Sequence, residues 1–144
     1  TTNGINTVNI TGGTVLATGG ADAIDVTATT GKNIVNNSAA IVGTLAGINF
    51  LGGTSSALNN LGTITGPTGV SATVGAVTVF NAGTITGTGG TAVQFAGIGN
   101  TLTIAPTSVI TGNAVGTGAD TLQLGGTGTG SFNSALIGPA APYR

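Results

Sequence analysis

The chain of 144 residues contains no cysteine, histidine, methionine, tryptophan or glutamate. Without Cys there is neither a disulfide framework nor a thiol nucleophile. Without His there is no Ser-His-Asp triad and no zinc site of the usual kind. Charge is nearly missing too: Asp22, Asp25, Lys32, Asp120 and Arg144 are the only ionisable side chains of that class, and the net charge is −1. Two cations cannot track a phosphate backbone, and one Tyr with four Phe offers no stacking platform, which excludes nucleic acid as a partner. A Ser–Lys pair would need Lys32, which the neighbouring Gly31 and Asn33 place in an expected turn. No apolar run approaches the ~18 residues of a membrane helix, so no direct insertion of this segment into a bilayer is expected. Thr1-Thr2-Asn3-Gly4 lacks the basic region and apolar stretch of a signal peptide. Residues 1–144 read as one fragment of a longer protein, with both ends cut.

What the chain does contain is 28 glycines, abundant Thr, Ala and Asn, and 40% hydrophobic residues. That hydrophobicity, with so little charge, argues against a disordered low-complexity chain. The apolar residues are mostly Val, Ile and Leu in short alternating runs interrupted by Gly, which suits strands. The expected class is all-β.

Gly-Thr-Ile-Thr-Gly occurs twice, at Gly62–Gly66 and Gly83–Gly87, and degenerate copies recur along the chain. Aligning on the central apolar residue gives Val15, Ile41, Ile64, Ile85 and Ile110, at intervals of 26, 23, 21 and 25 residues. Two residues before each anchor stand Gly13, Ala39, Gly62, Gly83 and Ser108, and two after it Ala17, Gly43, Gly66, Gly87 and Gly112, all small. A lone β-branched residue between small ones describes a short strand between tight turns. A repeat in the low twenties means stacked units, none of which buries its apolar face alone.

Each period resolves into three short strands. The first precedes the anchor: Val8-Asn9-Ile10, Ile34-Val35, Leu58 with its neighbours, Val77-Thr78-Val79 and Leu102-Thr103-Ile104. The second is the anchor itself. The third follows: Ile24-Asp25-Val26, Ile48-Asn49-Phe50, Val70 with its neighbours, Val93-Gln94-Phe95 and Leu122-Gln123-Leu124. Alternation puts Val8, Ile10, Val77, Val79, Leu102 and Ile104 inward and Asn9, Thr78 and Thr103 toward water. Three strands per turn with Gly, Asn and Thr at corners is the plan of a parallel β-helix of five to six turns, roughly 25–30 Å long. A sandwich or barrel also uses many short strands, but its hairpins need not repeat in sequence.

Four residues before the anchors stand Thr11, Asn37, Asn60, Asn81 and Pro106. In a stack of coils Asn37, Asn60 and Asn81 either form an amide ladder or act as separate turn formers. Pro106, with no amide side chain and no backbone donor, is expected to end the row.

The carboxylates do not assemble a catalytic pair. Asp22 and Asp25 are close, whereas Asp120 lies about four turns away, or ~19 Å along the axis. Around Asp120, Gly116, Gly118-Ala119-Asp120-Thr121-Leu122 fits part of a calcium-binding nonapeptide, and Gly20-Ala21-Asp22-Ala23-Ile24 is a shorter echo. Calcium takes six or more oxygens, so Asp120 and Asp22 are weak ligand candidates. The competing reading is that each caps a corner by accepting backbone N–H bonds. No catalytic residue, cofactor or required metal is expected.

Asn81-Ala82-Gly83-Thr84-Ile85-Thr86-Gly87, Gly89-Gly90-Thr91-Ala92-Val93, Gly99-Asn100-Thr101-Leu102-Thr103, Asp120-Thr121-Leu122-Gln123-Leu124-Gly125-Gly126 and Gly128-Thr129-Gly130-Ser131-Phe132 resemble the passenger region of bacterial autotransporters. The C-terminal Ile137–Arg144 also resembles passenger sequence. The resemblance covers most of the chain. It implies a right-handed parallel β-helix, exported through a C-terminal outer-membrane barrel and displayed on the cell surface or secreted. The function implied is that of a non-enzymatic adhesin, or of the stalk that presents one. Its partners would be a host-cell or matrix surface or neighbouring passenger copies. Two alternatives stand beside it: an ice- or surface-binding solenoid using Thr63, Thr65, Thr84 and Thr86, and a subunit of an extracellular filament. Leu16, Val42 and Val109 share the outer face of the anchor strands with these threonines. They form either a contact stripe or the scattered exposed aliphatics found on any protein.

Overall fold

The computed structural model describes residues 4–137. Arg144 and the stretch 138–144 lie outside the described residues. The first coil carries β1 (Ile5–Ile10), β2 (Thr14–Leu16) and β3 (Ile24–Val26). The second carries β4 (Lys32–Asn37), β5 (Ala40–Val42) and β6 (Ala46–Phe50). From the third coil on there are two strands per turn: β7 (Ser55–Asn60) with β8 (Thr63–Ala72), β9 (Val77–Asn81) with β10 (Thr84–Phe95), and β11 (Thr101–Ile104) with β12 (Val109–Val115). A last strand, β13 (Thr121–Leu124), precedes a single 3-10 turn at Ser134–Leu136.

Parallel neighbours cannot be joined by a hairpin, so each connection here is the remainder of a coil. One sheet has the order β1-β4-β7-β9-β11-β13. The other runs β12-β10-β8-β5-β2, with β6 pairing both β3 and β8. The result is an all-β, parallel solenoid of about five turns.

The anchors stack as the repeat predicts. Val15 pairs with Ile41, Ile41 with Ile64, Ile64 with Ile85 and Ile85 with Ile110. Ile41, Ile64 and Ile85 are fully buried, while Val15 and Ile110 at the two ends are half-buried. In the third-strand column Ala72 lies between Phe50 and Phe95. One small residue between two large rings lets both fit a column of fixed spacing.

Several expectations are corrected. The second and third strands are continuous in β8, β10 and β12, with the ladder of β10 shifting register between Gly87 and Thr91, whereas β5 and β6 stay separate. A Cβ at Gly87 would stand 1.8 Å from the Thr91 carbonyl oxygen, and one at Gly43 1.6 Å from that of Ala46. Only glycine allows the chain to fold on itself there. Leu122-Gln123-Leu124 is the first strand of a sixth coil, pairing with β11; the third strand of the fifth coil is the end of β12, where Ala114 aligns with Val93. An apolar–polar–apolar triplet fits any face of the prism, so the triplet alone misassigned it. Lys32 opens β4 and does not sit in a turn. Val8 is 47% exposed although its column partner Val35 is 1% exposed. Val8 occupies the first coil, with no described strand stacked on its other side. Thr103, expected in water, is buried.

Truncating a column should therefore cost most at mid-stack. Ile64→Ala is expected to lose about 2–5 kcal/mol, the range for a buried aliphatic truncated to alanine. Val15→Ala, at a half-buried end, should lose clearly less. Urea melts of the two variants check this; equal losses would show that the anchors do not share one closed column.

Candidate functional site

Three polar rows run along the first sheet, and they differ in what is left for a ligand. The innermost is the corner row. Asn37 Nδ2 donates to Asn60 Oδ1 at 2.8 Å, and Asn60 Nδ2 to Asn81 Oδ1 at 2.7 Å. Their amides also donate to Ala39, Thr84 and Gly83 carbonyls respectively. All three side chains are buried, so the amide ladder exists and also caps the corner. The row does not end at Pro106. Strand pairing aligns Asn81 with Ile104, and Asn81 Nδ2 donates to Ser108 Oγ, which closes the row. Counting back four residues from Ile110 missed this because the fifth corner is two residues longer.

The second row stands at the entrance of the same strands. Asn6 Nδ2 donates to Asn33 Oδ1 at 3.0 Å, and buried Asn33 in turn reaches Ser56 Oγ at 3.4 Å. Further along, Asn100 Oδ1 accepts from Val77 N at 2.9 Å, and Asn100 Nδ2 donates to Asp120 Oδ1 at 2.9 Å. Asp120 is fully buried. Its Oδ1 also accepts from Asn100 N at 2.9 Å, and its Oδ2 from Thr117 N at 2.8 Å and Thr117 Oγ1 at 3.2 Å. Three N–H groups donate to the carboxylate, and the Thr117 hydroxyl hydrogen is shared between it and the Gly97 carbonyl oxygen at 3.0 Å, so both carboxylate oxygens are met by this chain's own donors, as a corner cap requires.

Asp22 plays a related part at the opposite end. Asp22 Oδ1 accepts from Ala46 N at 2.7 Å and Oδ2 from Asn49 Nδ2 at 2.9 Å. That orientation leaves Asn49 Oδ1 buried without a partner among the described residues. Asp25 is exposed beside Asp22. Desolvation against the sheet, then the hydrogen bond with Asp22 and its like charge, raise Asp25 above the ordinary 3.8. Among the described residues no three His, Cys, Asp or Glu side chains come together as a metal group.

The outer face of the anchor strands splits into two columns. Thr14, Ala40, Thr63, Thr84 and Val109 form one, and Leu16, Val42, Thr65, Thr86 and Thr111 the other. Thr63, Thr65, Thr84 and Thr86 are thus in register on adjacent coils. Leu16 and Val42 adjoin at one end, whereas Val109 lies at the other end in the other column. The three aliphatics do not make one continuous stripe.

A third row went unread in the sequence. On the outside of the first sheet Asn36 Nδ2 donates to Asn9 Oδ1 at 2.8 Å, and Asn59 Nδ2 to Asn36 Oδ1 at 2.7 Å. The signal was the doublets Asn36-Asn37 and Asn59-Asn60: successive strand residues face opposite ways, so each doublet supplies one inner and one outer amide. In the same column follow Phe80, Thr103 and Gln123. Gln123 Nε2 donates to Thr103 Oγ1 at 2.7 Å. A Cβ at Gly125 would meet Thr103 Cγ2 at 2.6 Å and Phe80 Cε2 at 3.9 Å, which shows the Phe80 ring reaching along the column past Thr103. This cover explains why Thr103 is buried. Beside the three amides runs a groove of ≈ 440 Å³ lined also by Ile10, Thr11, Ser38 and Leu61.

Two tests follow from the carboxylates. EDTA should leave the melting temperature and the circular dichroism unchanged, since the Asp120 and Asp22 oxygens are met by this chain's donors; a drop of several degrees would make them metal ligands. Asp25 binds its proton more tightly in the folded state. Its contribution to stability therefore rises as pH falls through the window that starts above 3.8, and ionised Asp25 opposes folding at neutral pH. Asp25→Asn should raise the melting temperature at pH 7 and flatten its rise as the pH falls toward 3.8, as read by thermal melts at a series of acidic pH values. Comparisons with protein-family models, with curated proteins and with solved structures find no match to this chain.

Proposed function

We propose that the chain is a non-enzymatic segment of a surface-displayed or secreted passenger region of the autotransporter type, acting as an adhesin or as the stalk that presents one. The observation that carries this reading is the division of polar groups between inside and outside. The inner amides and Asp120 are consumed by hydrogen bonds between coils. The outside presents registered rows of neutral Thr and Asn on a stack with few charges. Such a stack is a preorganised contact surface, because its side chains sit on paired strands and need little ordering when they bind. The motif order from Asn81 to Phe132 supports the passenger type. In that setting the protein is extracellular, held at the outer membrane through a barrel encoded further along the gene.

A second reading draws on Thr63, Thr65, Thr84 and Thr86, whose registered rows would suit an ordered water or ice lattice. Leu16 and Val42 on one side and Val109 on the other limit that plane to two coils.

The purified chain on beads is expected to retain epithelial cells or matrix-coated surfaces, and heat-unfolded chain is not. Retention should change little between 0.15 and about 1 M salt, because so few charges leave long-range steering negligible. Steep loss with salt, or no retention, would overturn the adhesive reading. Thermal hysteresis in the same preparation would favour the ice-binding one.

A further inference from the structure

The outer row Asn9–Asn36–Asn59 stands outside the core, with Asn9 and Asn59 exposed and Asn36 half-buried. Asn36 and Asn59 each spend one Nδ2 hydrogen on the neighbouring amide oxygen and keep the second. The row is open at both ends: among the described residues Asn59 Oδ1 accepts no hydrogen bond and Asn9 Nδ2 donates none. The coils set the amides ~4.8 Å apart, and Phe80 holds the next register position, its ring lying over Thr103 where the line continues. The groove alongside has apolar walls at Ile10 and Leu61 and hydroxyls at Thr11 and Ser38. Lys32 is the one cationic side chain among the described residues, and it begins the strand whose far end carries Asn36.

We propose that this strip, Asn9, Asn36 and Asn59 with Phe80 in line, binds a neutral, extended glycan chain. The inference rests on the surface-binding reading above and names its ligand class. A sugar hydroxyl both donates and accepts, and a planar amide with a free N–H and a free oxygen lone pair meets two adjacent hydroxyls at once. A pyranose ring has an apolar C–H face that stacks on an aromatic ring, and Phe80 supplies one. An extended β-linked chain repeats on a scale close to the coil spacing, so successive sugars meet successive rungs. The lack of charge discriminates in the same direction, since an anionic glycan or a phosphate would find no cationic cluster there. A protein partner of ordinary size needs an interface of about 1,200 Å² or more with an apolar centre, and three amides beside one ring are too narrow for that.

The experiment is an NMR titration of the purified chain with cellohexaose, with an equally long oligogalacturonate as the charged counterpart. Cellohexaose should shift the Asn36 and Asn59 side-chain amides and the Phe80 ring, saturably and with little effect of salt, and oligogalacturonate should not. Phe80→Ala and Asn59→Ala should each weaken binding about tenfold or more. Phe80→Ala uncovers Thr103 and can lower stability; Asn59→Ala, on an exposed side chain, gives the independent reading with the fold intact. No shifts at millimolar glycan, shifts confined to another face, binding of the charged oligomer alone, or unaltered affinity in Asn59→Ala would each overturn the proposal. A chain that retains cells but ignores cellohexaose would sink this assignment and leave the adhesive reading standing.

Discussion

Register between coils is the constraint on which everything else in this protein depends. Every coil hydrogen-bonds to its neighbours through parallel ladders, as where Thr63 N donates to Ala39 O, Thr84 N to Gly62 O and Val109 N to Gly83 O. A slip of one residue would turn each inward side chain outward, carrying Val35 and Leu58 into water. Apolar columns alone resist a slip of two only weakly, because Val, Ile and Leu tolerate one another. The inner amides are stricter. Asn60 is satisfied only if Asn37 and Asn81 stand at its own level, and a buried amide left unpaired costs roughly 1–3 kcal/mol. The amide row thus specifies the register that the aliphatic columns then fill.

That same constraint decides what could be read in the sequence. The anchors were legible because small–β-branched–small recurs wherever a coil turns, and the pairing of Ile41, Ile64 and Ile85 follows from simple alignment. The inner Asn row was legible for the same reason. What failed depended on corner length, which spacing from the anchor does not encode. The fifth corner is longer, so Ile104 and not Pro106 stands level with Asn81, and the row ends on Ser108. Leu122-Gln123-Leu124 was misplaced because its alternation says only that it is a strand. Thr103 was misjudged because its burial comes from Phe80, Gln123 and Gly125, contributed by the coils on either side of it. The candidate site was the least legible part. Its outer amides differ from the inner ones only by one position in a doublet.

The scarcity of charge has a structural counterpart. Of three side-chain carboxylates, Asp120 is fully buried and accepts from three N–H groups, and Asp22 ties the first corner to Ala46 and Asn49. Only Asp25 is left exposed, and desolvation against the sheet, then the hydrogen bond with Asp22 and its like charge, raise its proton affinity. A solenoid with a charged outer column would place like charges one coil spacing apart, where they repel. Neutral Asn and Thr avoid that repulsion, and they also pair favourably down a column.

Burial gives one residue type two different roles on either side of a single strand. Inside, the Asn37–Asn60–Asn81 hydrogen bonds form where water cannot compete, so each amide is bound to its neighbours by the cost of leaving it alone. Outside, the Asn9–Asn36–Asn59 bonds form where water competes, so each contributes about 1 kcal/mol or less. The outer row is therefore free to be rearranged or substituted without threatening the stack. Yet it inherits the stack's spacing and rigidity, because each outer amide is one residue away from an inner amide or core aliphatic that cannot move. A surface built this way takes its order from the strands beneath it, because the coils fix where each outer amide stands.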